Sequence, residues 1–312
     1  RMARQNALIE RLSAVETLGA TTVIFTDKTG TLTENKMTVR EIDCPQALYA
    51  ASPSAITLDG EAVGISNLPC LDMILTASVL CNSAELGVGG APDTGDPLEQ
   101  ALLVAGLTAE KTRSDYVHQF PKLREIAFDS TSKLMATIHR ADDHNVMWVK
   151  GAPEAVLDAS SRIIRKDGSA TDLSRDLADM WRRRTDEMAA RGMRVLAVAT
   201  RQVSDVEAAD YESLTFLGLI GLFDPPRPDV QGAIADCRSA GIRVIMMTGD
   251  HAVTARNIAT AVGLTDHDPA VIEGRNLPEL AKMSDSEIDA VKSADVFARV
   301  SPAQKLDLVS IY

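Results

Sequence analysis

The amino-acid sequence predicts an α/β protein in which a doubly wound, parallel-sheet domain is interrupted by an inserted α+β domain. Two separated segments carry the same pattern of a short apolar strand followed by a polar loop, at residues 22–33 and 242–250. Loops of this kind bind ligands at the carboxyl ends of strands in open parallel sheets. The chain between them mixes helical and strand periodicity. Its 312 residues are enough for two ordinary domains.

The first strand of the doubly wound domain is predicted at residues 22–26, where β-branched and aromatic residues lead into Asp27. A helix is predicted over residues 228–240, with a proline early and Gly241 directly after it. A buried strand at 242–247, a loop and a second helix at 251–262 follow. Helix, strand, loop and helix in this order are typical of one doubly wound unit.

The intervening stretch predicts the inserted domain, because helical and strand signals alternate there without a parallel-sheet pattern. Helices are predicted at residues 72–81, 98–107 and 180–191, and strands at 134–139, 146–150 and 194–200. We therefore predict residues 1–38 and 223–312 as the two parts of the doubly wound domain, with residues 39–222 as the insert.

Composition excludes several classes of protein. Apolar residues make up 45% and charged residues 24% of the chain, and the net charge is −12. An acidic chain is repelled by phosphate backbones, so nucleic acid is not expected as the main partner. The longest apolar runs, at 101–107 and 217–223, are far shorter than the roughly 20 residues that cross a bilayer, which predicts a soluble protein. Four scattered cysteines indicate free thiols in a reducing compartment.

The segment that carries the chemistry runs from Asp27 to Thr33 and reads Asp-Lys-Thr-Gly-Thr-Leu-Thr. A carboxylate forms an acyl phosphate when the incoming phosphoryl group is held in line and its charge is neutralised. Gly30 allows the backbone to turn closely beside a phosphate. This segment matches the phosphorylation motif of the P-type ATPases, and the chain resembles that family, in the haloacid dehalogenase superfamily, from end to end.

The resemblance implies that ATP phosphorylates Asp27 and that Mg²⁺ is bound by Asp27 and by the backbone carbonyl of Thr29. Related phosphatases of the superfamily carry a second aspartate two positions after the nucleophile, where it acts as general acid and base. Here that position is Thr29, which cannot assist water in hydrolysing the intermediate. The resemblance therefore implies a persistent aspartyl phosphate, as a pump needs, and disfavours the alternative of a soluble phosphatase.

Two further segments resemble elements of the family's phosphate site. Thr248-Gly249-Asp250 lies between a predicted strand and a helix N-terminus, a place that favours anions. The resemblance implies that Thr248 donates to the phosphate and that Gly249 and Asp250 order contacts on the nucleotide side. The second segment starts near Arg299, and the resemblance assigns Arg299 to nucleotide binding. The same segment includes Lys305, which is expected to contact the transferred phosphoryl group as a point charge.

The inserted domain carries a nucleotide site by resemblance. The sequence contains no P-loop, so ATP must be bound in another way. Lys150-Gly-Ala-Pro-Glu154 resembles the family's adenine-site motif, and the ring of Phe128 is expected to stack on adenine. Six residues are assigned to this site: Glu99, Phe128, Lys133, Lys150, Gly151 and Arg194.

The resemblance implies the catalytic part of a cation pump, on the cytoplasmic side of a membrane in the parent protein. The residues that flank the motifs resemble those of the calcium-pump branch of the family. Sodium and other cations remain alternatives for the transported ion. Residues 6–19 resemble the connection to a transmembrane helix. A further metal-binding element, the transmembrane helices and an actuator domain are expected outside residues 1–312, so we expect this chain alone to have little activity. A non-catalytic ATP-binding module is the remaining alternative.

Overall fold

A computed structural model describes residues 19–87, 89, 91–207, 210–278 and 283–312. The segment at 6–19 that was compared with a transmembrane connection lies almost entirely outside the described residues. The chain divides into two compact units. Unit 1 comprises Arg1–Asn35 and Pro226–Tyr312, and unit 2 comprises Lys36–Pro225. Among the described residues, no helix has both the length and the apolar character needed to cross a bilayer.

The strands and helices are as follows. The strands are β1 Val23–Asp27, β2 Thr38–Cys44, β3 Ala47–Ala51, β4 Ile56–Leu58, β5 Glu61–Ala62, β6 Lys122–Asp129, β7 Leu134–Ala141, β8 His144–Gly151, β9 Ser160–Ile164, β10 Ala170–Asp172, β11 Arg194–Val203, β12 Leu214–Phe223, β13 Arg243–Met247, β14 Val271–Glu273 and β15 Val296–Ala298. The helices are α1 Pro69–Leu80, α2 Pro97–Thr108, α3 Arg113–Gln119, α4 Pro153–Asp158, α5 Arg175–Ala190, α6 Val230–Ser239, α7 Ala252–Ala261, α8 Asp285–Ser293 and α9 Pro302–Ile311.

Unit 1 contains a parallel sheet of four strands in the order β1-β13-β15-β14. Its central strand β13 is buried over residues 244–247, as expected for a parallel strand covered on both faces. Helices α6 and α7 flank β13 in the sequence. Helix α9 starts with a capping box in which Ser301 Oγ accepts from Gln304 N and Gln304 Oε1 accepts from Ser301 N. This cap fixes where the first turn of α9 begins.

Unit 2 is built on a large, mainly antiparallel sheet in the order β5-β4-β3-β2-β12-β11-β8-β7-β6, with β9 and β10 attached beside β12. One apolar core packs helices α1 and α2 against the sheet, and a second contains residues of α4 and α5, including the fully buried Trp181. Helix α2 is capped by Asp96, whose carboxylate accepts from Leu98 N at 2.8 Å. The cap sets the orientation of the first turn, which carries Glu99.

The two sheets confirm the predicted α/β class, with parallel pairing in unit 1 and mainly antiparallel pairing in unit 2. The unit boundaries fall after Asn35 and Pro225. Each predicted helix and strand is present, with ends that differ by a few residues from the sequence pattern. The largest difference is α5, which begins at Arg175 because the Ser174 side chain caps it by accepting from Leu177 N. All four cysteines are free thiols.

Candidate functional site

The carboxyl edge of the parallel sheet in unit 1 carries three of the residues predicted for the phosphate site. Asp27 is the last residue of β1 and pairs with Met247, the residue before Thr248. From the first turn of α9, the Lys305 ammonium contacts Asp27 Oδ2. The Asp27 side chain is 46% exposed and that of Lys305 27% exposed, so a small anion has access to both. A carboxylate with an adjacent cation is an arrangement that can take part in phosphoryl transfer.

The loop after Asp27 has a backbone shape that explains its glycine. Thr29 has φ −76° and ψ 124°, and Gly30 has φ 75° and ψ −12°, the angles of a type II turn. Position i+2 of such a turn requires a positive φ, which glycine adopts without strain. The loop is closed by Thr33 N, which donates to Lys28 O at 3.1 Å. Arg227 Nη2 also donates to Gly30 O at 2.9 Å, a contact that the sequence did not reveal.

The loop that follows β13 is held by backbone bonds to the end of β15. Thr248 N donates to Phe297 O at 2.9 Å, and Val300 N donates to Thr248 O at 3.2 Å. Arg299 N donates to Asp250 O at 3.0 Å. Thr248 is buried, and its hydroxyl accepts from Asp250 N at 3.1 Å, which leaves the hydroxyl proton free to donate. A Cβ at Gly249 would meet nothing within 4 Å, so space rather than close packing surrounds this position.

Two side-chain contacts at this edge were missed by sequence reasoning. Lys28, only 7% exposed, forms an ion pair with the carboxylate of Asp250. Its place inside the Asp27–Thr33 motif was the available signal. Arg299 has a left-handed backbone with φ 55°, and its guanidinium contacts His251 Nε2. The Lys28 ion pair joins the loop after β1 to the loop after β13.

Few groups at this edge could bind a metal ion. Among the described residues, no cluster of three or more His, Cys, Asp or Glu side chains has the spacing of a metal site. The Asp250 carboxylate is already paired with Lys28. The two oxygen ligands predicted for a metal ion are the Asp27 carboxylate and the carbonyl of the exposed Thr29. Mg²⁺ prefers six oxygen ligands, so these two fit only an ion completed by phosphate oxygens and water.

Unit 2 contains an open cleft of about 640 Å³ between the ends of β6, β8 and β11 and the start of α2. Phe128 is 61% exposed, which is unusual for so large an apolar side chain. An exposed ring beside polar groups suits stacking on a planar ligand. All six residues predicted for the nucleotide site line this cleft: Glu99, Phe128, Lys133, Lys150, Gly151 and Arg194.

The inner part of the cleft is a fixed polar network. Lys150 is 6% exposed, and its ammonium donates to Glu99 Oε1 and, at 2.6 Å, to the carbonyl of Cys81. The second carboxylate oxygen of Glu99 accepts from Ser83 N at 3.1 Å. Each charge is therefore compensated by a partner, as burial requires. The network presents an ordered pair of polar groups to a ligand.

The outer part of the cleft is more exposed. Lys133 Nζ lies 2.9 Å from Glu154 Oε1, and the two side chains are 53% and 58% exposed. Arg194 is exposed and lies at the start of β11. A Cβ at Gly151 would lie 2.3 Å from the carbonyl oxygen of Lys133, so packing between β7 and β8 also requires glycine there.

Several lining residues were not singled out from the sequence. Ser83 and Glu125 are joined by a hydrogen bond of 3.0 Å at the rim, and Glu125 also pairs with Lys122 at 2.6 Å. Met135 and Leu196 form part of the apolar wall. No motif indicated these residues, because only the pairing of β6, β7, β8 and β11 brings them together.

Comparison with known proteins decides the family. A model of the P-type ATPase cytoplasmic domain N matches residues 70–229, slightly more than half of the chain. The chain belongs to the P-type ATPases. The matched segment contains the whole cleft of unit 2.

Several proteins named as cation- or calcium-transporting ATPases are similar over almost the entire chain. The cation-transporting ATPase pma1 of Synechocystis sp. is 38% identical over 99% of this chain. The probable cation-transporting ATPase F of Mycobacterium tuberculosis is 40% identical over 99% of it, and the calcium-transporting ATPase of Bacillus subtilis is 36% identical over 100% of it. The chain spans 36% of the length of each of these relatives.

Proposed function

We propose that this chain is the catalytic part of an ATP-driven cation pump, in which ATP transfers its γ-phosphoryl group to Asp27. The observation that carries the proposal is the contact of the Lys305 ammonium with Asp27 Oδ2, at the same sheet edge as Thr248. Lys305 neutralises charge on the entering phosphoryl group, and the Thr248 hydroxyl donates to one of its oxygens. Unit 1 acts as the phosphorylation domain, of haloacid dehalogenase type, and unit 2 as the nucleotide-binding domain.

The residues around Asp27 favour a persistent intermediate over rapid hydrolysis. Thr29 is exposed two positions after the nucleophile and has no group that can act as a base near neutral pH. Asp250, the other carboxylate in these loops, is held by Lys28. Neither Thr29 nor Asp250 is therefore available to assist the attack of water on the acyl phosphate. A soluble phosphatase is the less favoured function for this reason.

The cleft of unit 2 supplies the nucleotide site of this proposal. The exposed ring of Phe128 stacks on adenine, and the buried pair of Lys150 and Glu99 offers a donor and an acceptor to its edge. Lys133 and Arg194, both exposed, take the phosphates. Stacking with few direct polar contacts predicts modest affinity for ATP.

Magnesium accompanies ATP in this proposal, with the Asp27 carboxylate and the Thr29 carbonyl as its ligands from the described chain. The ion neutralises charge on the phosphoryl oxygens when it is bound. Because the described residues contain no cluster of three or more potential metal ligands, Asp27 and Lys305 must do most of the positioning. We therefore expect slow phosphorylation of the 312-residue chain.

The parent protein is proposed to move calcium, since several relatives are named calcium-transporting ATPases. Others are named only as cation-transporting, so sodium and other cations are alternatives. In that protein the chain lies on the cytoplasmic side of a membrane and works with transmembrane and actuator domains of the same polypeptide. Ion flux into vesicles that contain the parent protein tests the choice of cation.

The phosphoryl-transfer proposal is tested by incubating the chain with γ-labelled ATP and Mg²⁺, followed by an acid quench. We expect a small amount of acid-stable label that hydroxylamine removes, that is absent from Asp27→Asn and that is reduced in Lys305→Ala. Label that persists in Asp27→Asn contradicts the proposal. Turnover of simple phosphate esters without an acid-stable intermediate supports the phosphatase instead.

A non-catalytic ATP-binding module is a second candidate, because the cleft of unit 2 by itself contains all six residues assigned to the nucleotide. Its signature is ATP binding in the cleft without any label on Asp27, even at saturating ATP and Mg²⁺. Isothermal titration calorimetry on the same samples separates this result from a failure to bind ATP.

A further inference from the structure

The nucleotide cleft has an unexpected charge balance for a site that receives a polyanion. Its lining includes three cationic side chains, Lys133, Lys150 and Arg194, but four acidic ones: Asp96, Glu99, Glu125 and Glu154. A triphosphate is attracted by free positive charge and repelled by carboxylates. Which cations are available therefore depends on how each is paired within the protein.

The two lysines differ sharply in how they are held. The pair of Lys150 and Glu99 is almost buried, with side chains 7% and 12% exposed, and both members have further partners in Cys81 O and Ser83 N. Removing either charge from that network leaves the other buried without compensation. The pair of Lys133 and Glu154 is more than half exposed and has a single contact of 2.9 Å. Only this second pair can exchange partners at low cost.

The backbone keeps Lys133 and Glu154 close to each other. Lys133 ends a tight turn with φ 57°, in which its N–H donates to Asp129 O at 2.7 Å. Its carbonyl accepts from Ala152 N at 3.1 Å, two residues before Glu154. Glu154 is fixed in turn by the first turn of α4. These backbone contacts keep the two side chains within reach of each other.

We propose that Glu154 competes with the phosphates of the nucleotide for Lys133, so that binding is an exchange of ion-pair partners and Glu154 sets the affinity. The proposal rests on ATP binding in this cleft, as proposed above. The hydrogen bond from Lys133 lowers the pKa of Glu154, which keeps the carboxylate ionised at neutral pH. Each phosphate added to the ligand favours the exchange more strongly, whereas the adenine base does not take part in it.

The expected effect is moderate, because exposed ion pairs are weak and are screened by salt. Releasing Lys133 through Glu154→Gln should tighten ATP binding by about 2- to 5-fold at low ionic strength. The gain should be smaller for ADP, absent for adenosine and largely lost in about 0.5 M salt, where the Debye length is a few ångströms.

The experiment is isothermal titration calorimetry of ATP, ADP and adenosine on the 312-residue chain and its variants. Glu154→Gln is compared with Glu61→Gln, which makes the same change of charge at the exposed strand β5, at the opposite end of the sheet from β6. The exchange predicts a phosphate-dependent gain for Glu154→Gln and none for Glu61→Gln. In a Lys133→Met background, most of that gain should disappear. Thermal unfolding checks that each variant is folded.

Three results would overturn the proposal: an unchanged affinity for ATP, an equal gain for adenosine, or a full gain in the Lys133→Met background. Each of them leaves ATP binding by the unmodified chain intact and so refutes the exchange alone. If the unmodified chain fails to bind ATP at millimolar concentration, the proposed nucleotide site is refuted together with the exchange.

Discussion

The ring of Phe128 gives the sharpest quantitative prediction for nucleotide binding. It is 61% exposed on β6, so its removal leaves no cavity in either core of unit 2. Stacking of an aromatic side chain on a base contributes about 1–3 kcal/mol. Phe128→Ala should therefore weaken binding roughly 5- to 150-fold. The loss should be equal for ATP, ADP and adenosine, because all three present the same base.

Calorimetric titration of the three ligands measures this loss directly, with Leu123→Ala as the matched control. Leu123 lies on the same strand, is 38% exposed and does not line the cleft. The control should bind ATP like the unmodified chain, and both variants should unfold at nearly the same temperature. An affinity of Phe128→Ala equal to that of Leu123→Ala would remove the ring from the site and refute the stacking argument.

Three further predictions concern stability and backbone shape. Burial raises the pKa of Asp43 to about 6 from 3.8, so the stability contributed by the protonated carboxyl is complete below pH 4 and is lost as the pH rises through 6. Relative to Asp43→Asn, urea unfolding followed by tryptophan fluorescence should show a loss of roughly 2–3 kcal/mol in the free energy of unfolding between pH 4 and 7. Parallel pH profiles of the two proteins would contradict this prediction. Asp295 is buried and accepts from Arg243 at 3.1 Å, so Asp295→Ala should lower the free energy of unfolding by about 2 kcal/mol and speed hydrogen exchange in β13 and β15. Unchanged exchange would show that this ion pair does not hold the two strands together. Gly30→Ala should strain the turn by about 1–2 kcal/mol and reduce labelling of Asp27 without changing ATP affinity; full labelling would show that the turn tolerates a side chain.

Much of the candidate site at the carboxyl edge of the parallel sheet could be predicted, because its residues follow strands in the sequence. Asp27 ends β1, and Thr248 follows β13, so parallel pairing alone brings their loops to one edge. The pairing of Lys28 with Asp250 could not be predicted, since more than 200 residues separate them and no pattern specifies a side-chain partner. The pairing of Lys133 with Glu154 could not be predicted either, because the two residues meet only through the packing of β7 beside β8.

The inserted unit was less predictable than the parallel sheet. Residues 217–223 stood out as an apolar run, yet periodicity did not identify them as part of β12, which is buried on both faces between β2 and β11. An apolar run without alternation cannot be distinguished from a buried helix segment by periodicity alone. Strands β2 to β5 carry exposed and buried residues irregularly, and the Asp59-Gly60 turn marks the register of β4 against β5 but not that of the other strands.

The proposed function depends on transfer of the phosphoryl group of ATP to Asp27. Borohydride reduction tests it most directly, because an aspartyl phosphate is reduced to homoserine while a free carboxylate is not. The chain is incubated with ATP and Mg²⁺, quenched, reduced and digested, and the peptide that contains residues 23–33 is analysed by mass spectrometry. We predict homoserine at position 27 only when ATP is present. Label from ATP with aspartate intact at position 27, or homoserine at another position, would contradict the account.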